Sequence, residues 1–189
     1  MSSKIKTILL HCCCAPCSGA IIDQLISEQI TPTLFFYNPN VHPVDEYMRR
    51  KSSIEAYALK IDVPFFDADY DPDVWHKAVK GIEKEPERGK RCTACFDLRL
   101  EKTALFANKN GFASFATTNG IGRWKDIDQV NAAGLRAAQK YPGLSFLPRN
   151  WREGDALTKG ARISRREGFY RQTYCGCIYS RNSINFNKQ

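Results

Sequence analysis

The sequence predicts an α/β fold with a mostly parallel sheet and helices on both faces. Short apolar runs, which are typical of buried strands, alternate along the chain with longer stretches of helical periodicity. Gly, Pro and Asn residues separate these segments, and the 189-residue chain has no internal repeat or low-complexity linker. A chain of this length buries roughly 70% of its unfolded surface when it folds as one unit. We therefore expect a single domain over residues 1–189.

The first strand and the first helix are the clearest elements. A strand is predicted at residues 5–10, where a mainly apolar run suggests a central position in the sheet. Pro16 suits the first turn of a helix, where the missing N–H is not needed. Apolar side chains from Ile21 to Ile26 recur at helical spacing, so a helix is predicted over residues 16–26 with one apolar face.

The middle of the chain continues the alternation. The loop NPNVHP at 38–43 separates a strand at 33–37 from a helix at 45–59, which is rich in good helix formers. A third strand at 63–66 and a short helix at 72–79 follow, and then a charged loop at 80–90.

The second half of the chain is punctuated by turn residues. A helix at 92–108 ends at Asn110-Gly111, a common helix C-terminal signal, and a strand follows at 112–117. A helix at 126–140 ends before a Tyr-Pro-Gly turn, and a fifth strand is predicted at 144–147. Residues 164–172 are predicted to be helical, and residues 182–189 to form a loose polar tail.

The charge balance favours a polyanionic partner. Lys and Arg number 28 against 20 Asp and Glu, which gives a net charge of +8. Nucleic acid is the leading candidate, and the alternative is a basic protein with no such partner. No apolar run approaches the ~20 residues of a membrane span, so no membrane partner is expected. The opening apolar stretch is interpreted as a buried strand, not a signal peptide, so we expect a cytoplasmic location in which thiols stay reduced.

Eight cysteines fall in three tight clusters and nowhere else. The clusters are Cys12, Cys13, Cys14 and Cys17, then Cys92 and Cys95, then Cys175 and Cys177. Cysteines used for packing would be scattered among the elements, whereas thiolates gathered from three distant segments suit an iron–sulfur cluster or a zinc site. The first cluster follows the first strand, where the active sites of such folds lie.

Each cluster permits a more specific interpretation. Cys12 is expected to face the core as an inert thiol. The helical spacing of Cys92 and Cys95 puts both on one face, with Arg99 about one turn further along. A glycine between Cys175 and Cys177 lets the chain turn, so this pair either forms a reducible disulfide or binds metal.

Three functions remain open from these residues alone. The first is an iron–sulfur redox enzyme that acts on nucleic acid. The second is a zinc-dependent RNA-binding module without catalysis, and the third is a metal-free thiol–disulfide oxidoreductase. The common phosphate-binding loops are absent from the sequence.

The sequence contains, in order between about residues 5 and 181, the segments LLHCCCAPCS, FYNPNVHPVDEYMRR, ERGKRCTACFDLRLEKTA and FYRQTYCGCIYS. This set resembles the QueH-type, cobalamin-independent epoxyqueuosine reductases. The resemblance implies a Rossmann-like fold related to adenine-nucleotide hydrolases. It also implies reduction of epoxyqueuosine at the wobble position of tRNA, the last step of queuosine synthesis. The implied partners are the tRNA anticodon stem-loop and an unidentified electron donor.

The resemblance also implies a cofactor, a 4Fe–4S cluster with an adjacent mononuclear iron. By this resemblance the cluster ligands are Cys13, Cys14, Cys92 and Cys95. Cys17 corresponds to a ligand of the second iron, and Cys12 is a spare thiol. Cys175 and Cys177 match the terminal pair of the family, which is proposed to be redox-active.

Three further positions are carried by the resemblance. Glu46 and Tyr47 lie in the second matched segment and are candidate catalytic residues. A surface ion pair between Glu46 and Arg49 is the alternative interpretation for that carboxylate. The stretch TTNGIGRWKDIDQVNAAG matches the TTL-x-x-S-x-x-K segment of the family loosely, with Lys125 in the place of its lysine.

Overall fold

Five strands alternate with six helices in the computed structural model, which describes residues 6–122 and 125–180. Several positions discussed above lie outside these ranges. They are the predicted tail at 182–189, Ile5 of the predicted first strand, and Trp124 in the segment TTNGIGRWKDIDQVNAAG. The strands are β1 (Lys6–His11), β2 (Ile30–Phe36), β3 (Phe65–Asp67), β4 (Ser114–Thr117) and β5 (Ser145–Phe146). The helices are α1 (Ala15–Ser27), α2 (Val44–Lys60), α3 (Pro72–Ala78), α4 (Lys90–Lys109), α5 (Ile127–Gln139) and α6 (Ala156–Arg166).

The strands form one parallel sheet in the order β3-β2-β1-β4-β5. Each pairing within it is parallel, and Leu10 of β1 lies in register with Leu34 of β2 and Ala116 of β4. The chain order reverses between β1 and β4. In sheets of this kind ligands bind in the crevice beyond the carboxyl ends of the two strands at the reversal.

Successive side chains of the strands enter two apolar cores, because a strand points alternate residues to opposite faces. Ile8 and Leu10 face the core that α1, α2 and α6 cover, whereas Leu9 faces the core that α4 and α5 cover. The predicted fold class is therefore confirmed, with helices on both faces of the sheet. Within the described ranges, no helix has the length and apolar character that crossing a membrane requires.

The helix predicted at 164–172 is wrong, since α6 ends at Arg166. Gly168 adopts a φ of 63°, and the N–H of Phe169 bonds the carbonyl of Ser164 at 3.0 Å, which is a Schellman helix end. The chain then runs along α2, where Phe169 packs edge-on against Tyr57. This path carries the following residues back toward the carboxyl edge of the sheet.

Candidate metal centre

The first cysteine cluster lies at the reversal of strand order. β1 ends at His11, and Cys12 to Cys14 lead directly into α1, whose first turn holds Cys17. β4 ends at Thr117 on the neighbouring strand, and a 3-10 turn at Thr118–Ile121 follows. Short loops after two adjacent parallel strands therefore bring both segments together.

Cys13, Cys14 and Cys17 form a compact sulfur triad, with all three sulfurs within 4.8 Å of one another. The sulfurs of Cys13 and Cys14 are 3.7 Å apart, and both residues are buried. The hydroxyl of Thr118 donates to the Cys13 sulfur at 3.6 Å, and the side-chain amide of Gln172 donates to the Cys14 sulfur at 2.9 Å. The triad can therefore hold a metal and already accepts hydrogen bonds.

Only one of the three thiols of the triad is favoured to ionise. Hydrogen bonds from Cys14 and Cys17 lower the pKa of Cys13 well below its usual value. The same contact with Cys13 raises the pKa of Cys14 to about 12, and contacts with Cys13 and Cys14 raise the pKa of Cys17. A cation bound at the triad would allow all three thiols to ionise together.

Cys12 does not join the triad. It is fully buried in the apolar core on the α1 side, and its thiol donates to the carbonyl of Leu10 at 3.3 Å. Burial raises its pKa. The expected position of Cys12 in the core is confirmed, and its inertness stays a prediction.

The other two cysteine clusters meet in a second cavity. Cys92 and Cys95, in the first two turns of α4, line it together with Cys175 and Cys177. Arg99 lines the same cavity, as its helical spacing predicts. Burial raises the pKa of Cys92 to about 11 and that of Cys177 to about 12. All eight cysteines are free thiols in the structure.

Two residues join the two groups of thiols. Lys125 and Cys175 line both the second cavity and a neighbouring one beside Cys13 and Cys17. The ammonium of Lys125 donates to the side-chain oxygen of Asn119 at 2.8 Å. Burial acts to lower the pKa of Lys125, but the sulfurs of Cys13 and Cys175 outweigh burial and raise it. A fixed positive charge therefore lies between the sulfurs.

A buried polar network that sequence reasoning missed supports this edge. His11 Nε2 lies 3.0 Å from the carbonyl of Tyr37, which can only accept, so Nε2 carries the proton. Nδ1 then accepts from the hydroxyl of Thr117 at 2.9 Å. Burial, reinforced by Arg99, lowers the pKa of His11 to about 3, so the ring is neutral.

Arg99 joins that network to the second cavity. Its guanidinium is buried and donates to the side-chain oxygens of Asn38 and Asn119. Two features of the sequence could have indicated this network: His11 lies just before the cysteines, and Asn38 lies at the start of the loop after β2. Neither feature reveals the partner.

Glu46 and Tyr47 line neither cysteine cavity. The alternative interpretation, a surface ion pair of Glu46 with Arg49, does not hold, because the buried Glu46 carboxylate bonds Arg50 at 2.7 Å while Arg49 is exposed. Tyr47 is buried against the ring of Tyr70, at 4.2 Å between centroids, and its hydroxyl donates to Asp67.

The residues present fit a sulfur-bridged iron cofactor. Thiolates are the ligands of such clusters, and two cations on the cavity wall, the buried Arg99 and the partly buried Lys125, offset their negative charge. The indole Nε1–H of Trp75 is buried without a hydrogen-bond partner, and the ring packs against Cys95 and Cys177. A sulfur-rich group in this cavity offers that donor an acceptor.

Comparison with known proteins shows the family to which the chain belongs. A crystal structure described as a predicted subunit of tRNA methyltransferase from Methanocaldococcus jannaschii shares the fold, with a TM-score of 0.53 and 14% identity over 84% of this chain and 74% of that one. A protein of Acinetobacter baylyi named epoxyqueuosine reductase QueH is 49% identical over 94% of this chain and 82% of its own. A Thermotoga maritima protein of the same name is 35% identical over 92% of this chain and 90% of its own. The family model for epoxyqueuosine reductase QueH matches residues 8–183, and the chain belongs to that family.

Proposed function

We propose that this protein reduces the epoxide of epoxyqueuosine in tRNA to the cyclopentene of queuosine, the last step of queuosine synthesis. The proposal rests on one observation. Two groups of cysteines meet at the strand-order reversal, and Lys125 and Cys175 lie between them. Removal of the epoxide oxygen as water consumes two electrons and two protons. A site for this reaction needs a route for electrons and a donor to the departing oxygen.

The cofactor of the proposal is a 4Fe–4S cluster held by Cys13, Cys14, Cys92 and Cys95. Cys17 is assigned to an adjacent mononuclear iron. The proximity of Cys17 to Cys13 and Cys14 supports the assignment of Cys17. Cys92 and Cys95 line the adjoining cavity, which shares Lys125 and Cys175 with the cavity beside Cys13 and Cys17, and this supports the four-ligand set. When bound, the cluster would pass electrons singly and the adjacent iron would act as a Lewis acid on the epoxide oxygen.

The protein's own groups serve the departing oxygen and the electron supply. The ammonium of Lys125 has one N–H bound to Asn119, which leaves two for an oxygen in the cavity beside Cys13 and Cys17. Cys175 and Cys177 act in the proposal as a disulfide–dithiol couple. The disulfide takes two electrons and two protons from a donor outside the chain, and the dithiol passes them on to the site as the disulfide forms again. The position of Cys175 on the wall of both cavities supports that role.

The experiment that tests the proposal is metal analysis paired with a tRNA assay. Anaerobically purified protein is expected to hold about four to five irons and about four sulfides per chain. With a chemical reductant it is expected to remove one oxygen from epoxyqueuosine in tRNA, as mass spectrometry of the digested nucleosides would reveal. Zinc without sulfide would contradict the proposal and indicate an RNA-binding module. Activity in metal-free protein would indicate a thiol–disulfide oxidoreductase.

Binding of tRNA is expected to depend steeply on salt, because Lys and Arg side chains contact phosphates. With about four such contacts, affinity should fall roughly 50-fold between about 50 mM and about 200 mM salt. Lys90 is exposed at the end of α4 that carries Cys92, and Lys109 is exposed at the opposite end. Replacing Lys90 by alanine should reduce the slope of log affinity against log salt by about one. Lys109→Ala should leave the slope unchanged, and equal slopes in the two variants would place the tRNA elsewhere.

A further inference from the structure

A buried arginine contacts the backbone of the terminal cysteine segment. Arg50, on α2, is among the most deeply buried large side chains of the described chain, with 2% of its surface exposed. One terminal nitrogen donates to the carbonyl of Cys175 at 3.0 Å, and the other donates to the carbonyl of Tyr174 at 3.1 Å. Its Nε donates to Glu46 at 2.8 Å. The guanidinium therefore joins helix α2 to the two peptide carbonyls that lie on either side of the Cys175 α-carbon.

The backbone around Gly176 is shaped to this contact. Gly176 adopts a φ of 110°, and a Cβ at this position would lie 2.9 Å from both Arg50 and Val41. The carbonyl of Gly176 accepts the N–H of His42 at 2.8 Å, and the hydroxyl of Tyr174 donates to the carbonyl of His42. The cysteine segment is thus held by α2 on one side and by the loop before α2 on the other.

Glu46 fixes the arginine in turn. One oxygen of its buried carboxylate accepts from Arg50, and the other accepts from the hydroxyl of Tyr170 at 2.6 Å. The chain of contacts runs from Tyr170 through Glu46 and Arg50 to the backbone of Cys175. Glu46 is held through both of its oxygens and Arg50 through all three of its nitrogens, so the guanidinium has little freedom to turn away.

We propose that Arg50 is a positioning residue that holds Cys175 where the two cavities meet, with Glu46 as its support. The catalytic consequence rests on the proposed function, because Cys175 must stay near the thiols that hold the cofactor to pass on the electrons of the outside donor. A planar guanidinium can bond two carbonyls and a carboxylate at once, whereas a lysine ammonium cannot match that geometry. Arg50→Lys is therefore expected to restore the contact only in part.

The test measures the reactivity of one peptide. Trypsin cleavage after Arg171 and Arg181 releases residues 172–181, which contain Cys175 and Cys177 but no other cysteine. In anaerobic holoenzyme, Arg50→Met is expected to speed iodoacetamide labelling of this peptide about 10-fold, because the segment opens more often. Turnover with tRNA should fall at least about 10-fold while KM stays the same. Lys51→Met is the matched control, since the adjacent Lys51 pairs with Asp67 and should leave both rates unchanged.

A second variant distinguishes loss of the Arg50 contact from a folding defect caused by an unpaired buried charge. Arg50→Met leaves the Glu46 carboxylate buried without its cation, whereas the double change Glu46→Gln with Arg50→Met removes both charges. The double variant is expected to label as fast as the single one. Labelling at the rate of Lys51→Met in both variants would overturn the inference. Faster labelling in a protein that fails to reduce epoxyqueuosine would support the inference and contradict the proposed function alone.

Discussion

Replacing Cys13 by alanine is expected to remove iron from the protein and abolish epoxyqueuosine reduction, whereas the same change at Cys12 should do neither. The two thiols are adjacent in sequence and both are buried. Cys13 lies in the sulfur triad, but Cys12 points into the apolar core and bonds the carbonyl of Leu10. Alternate side chains at the end of a strand face opposite sides, which separates the two neighbours.

The expected sizes of the two effects differ widely. Loss of a ligand from the proposed cofactor forfeits a contribution of several kcal/mol to the transition state, so activity should fall by roughly 1,000-fold or more. Cys12→Ala removes one buried sulfur from the core and should lower the free energy of unfolding by about 1–2 kcal/mol. Iron content, sulfide content and single-turnover rates would be measured on both variants. Iron retained in Cys13→Ala but lost from Cys12→Ala would contradict the assignment.

The fold and the sheet edge that carries the site were predictable because both rest on local patterns. Alternating strand and helix signals predicted the parallel sheet, and the cysteines after the first strand predicted which edge matters. The sequence could not reveal how three clusters divide between two cavities. Cys175 joins Cys92 and Cys95 through a chain path that depends on the turn at Gly168, and the helix predicted there concealed that turn.

Contacts between distant segments were beyond sequence reasoning. His11 meets Thr117 across 106 positions, and no local pattern encodes that pairing. The ion-pair partner of Glu46 could not be predicted for a different reason. Helical spacing allows both Arg49 and Arg50 as partners. Only burial distinguishes the two, since Arg50 lies under the terminal cysteine segment and Arg49 faces solvent.

Two glycines inside helices are expected to respond in opposite directions to alanine. Glycine in a helix interior normally costs about 1 kcal/mol relative to alanine. Gly160 of α6 has ordinary space around it, because an added Cβ would lie 3.6 Å from Ala20. Gly160→Ala should therefore stabilise the protein by up to about 1 kcal/mol, which raises Tm by roughly 2–4 °C for a chain of this size.

Gly134 of α5 lies against the ring of Phe146, and an added Cβ would come within 2.4 Å of the ring. That clash exceeds the helical gain, because overpacking a core typically costs about 1–3 kcal/mol. Gly134→Ala should therefore lower Tm, in thermal unfolding of the anaerobic holoenzyme. Replacing Phe146 by the smaller leucine should relieve the clash. The Gly134→Ala, Phe146→Leu double variant should therefore lose less stability than the sum of the losses in the two single variants. A purely additive pair would mean that contact with the Phe146 ring is not what destabilises Gly134→Ala, and would contradict the explanation by a clash.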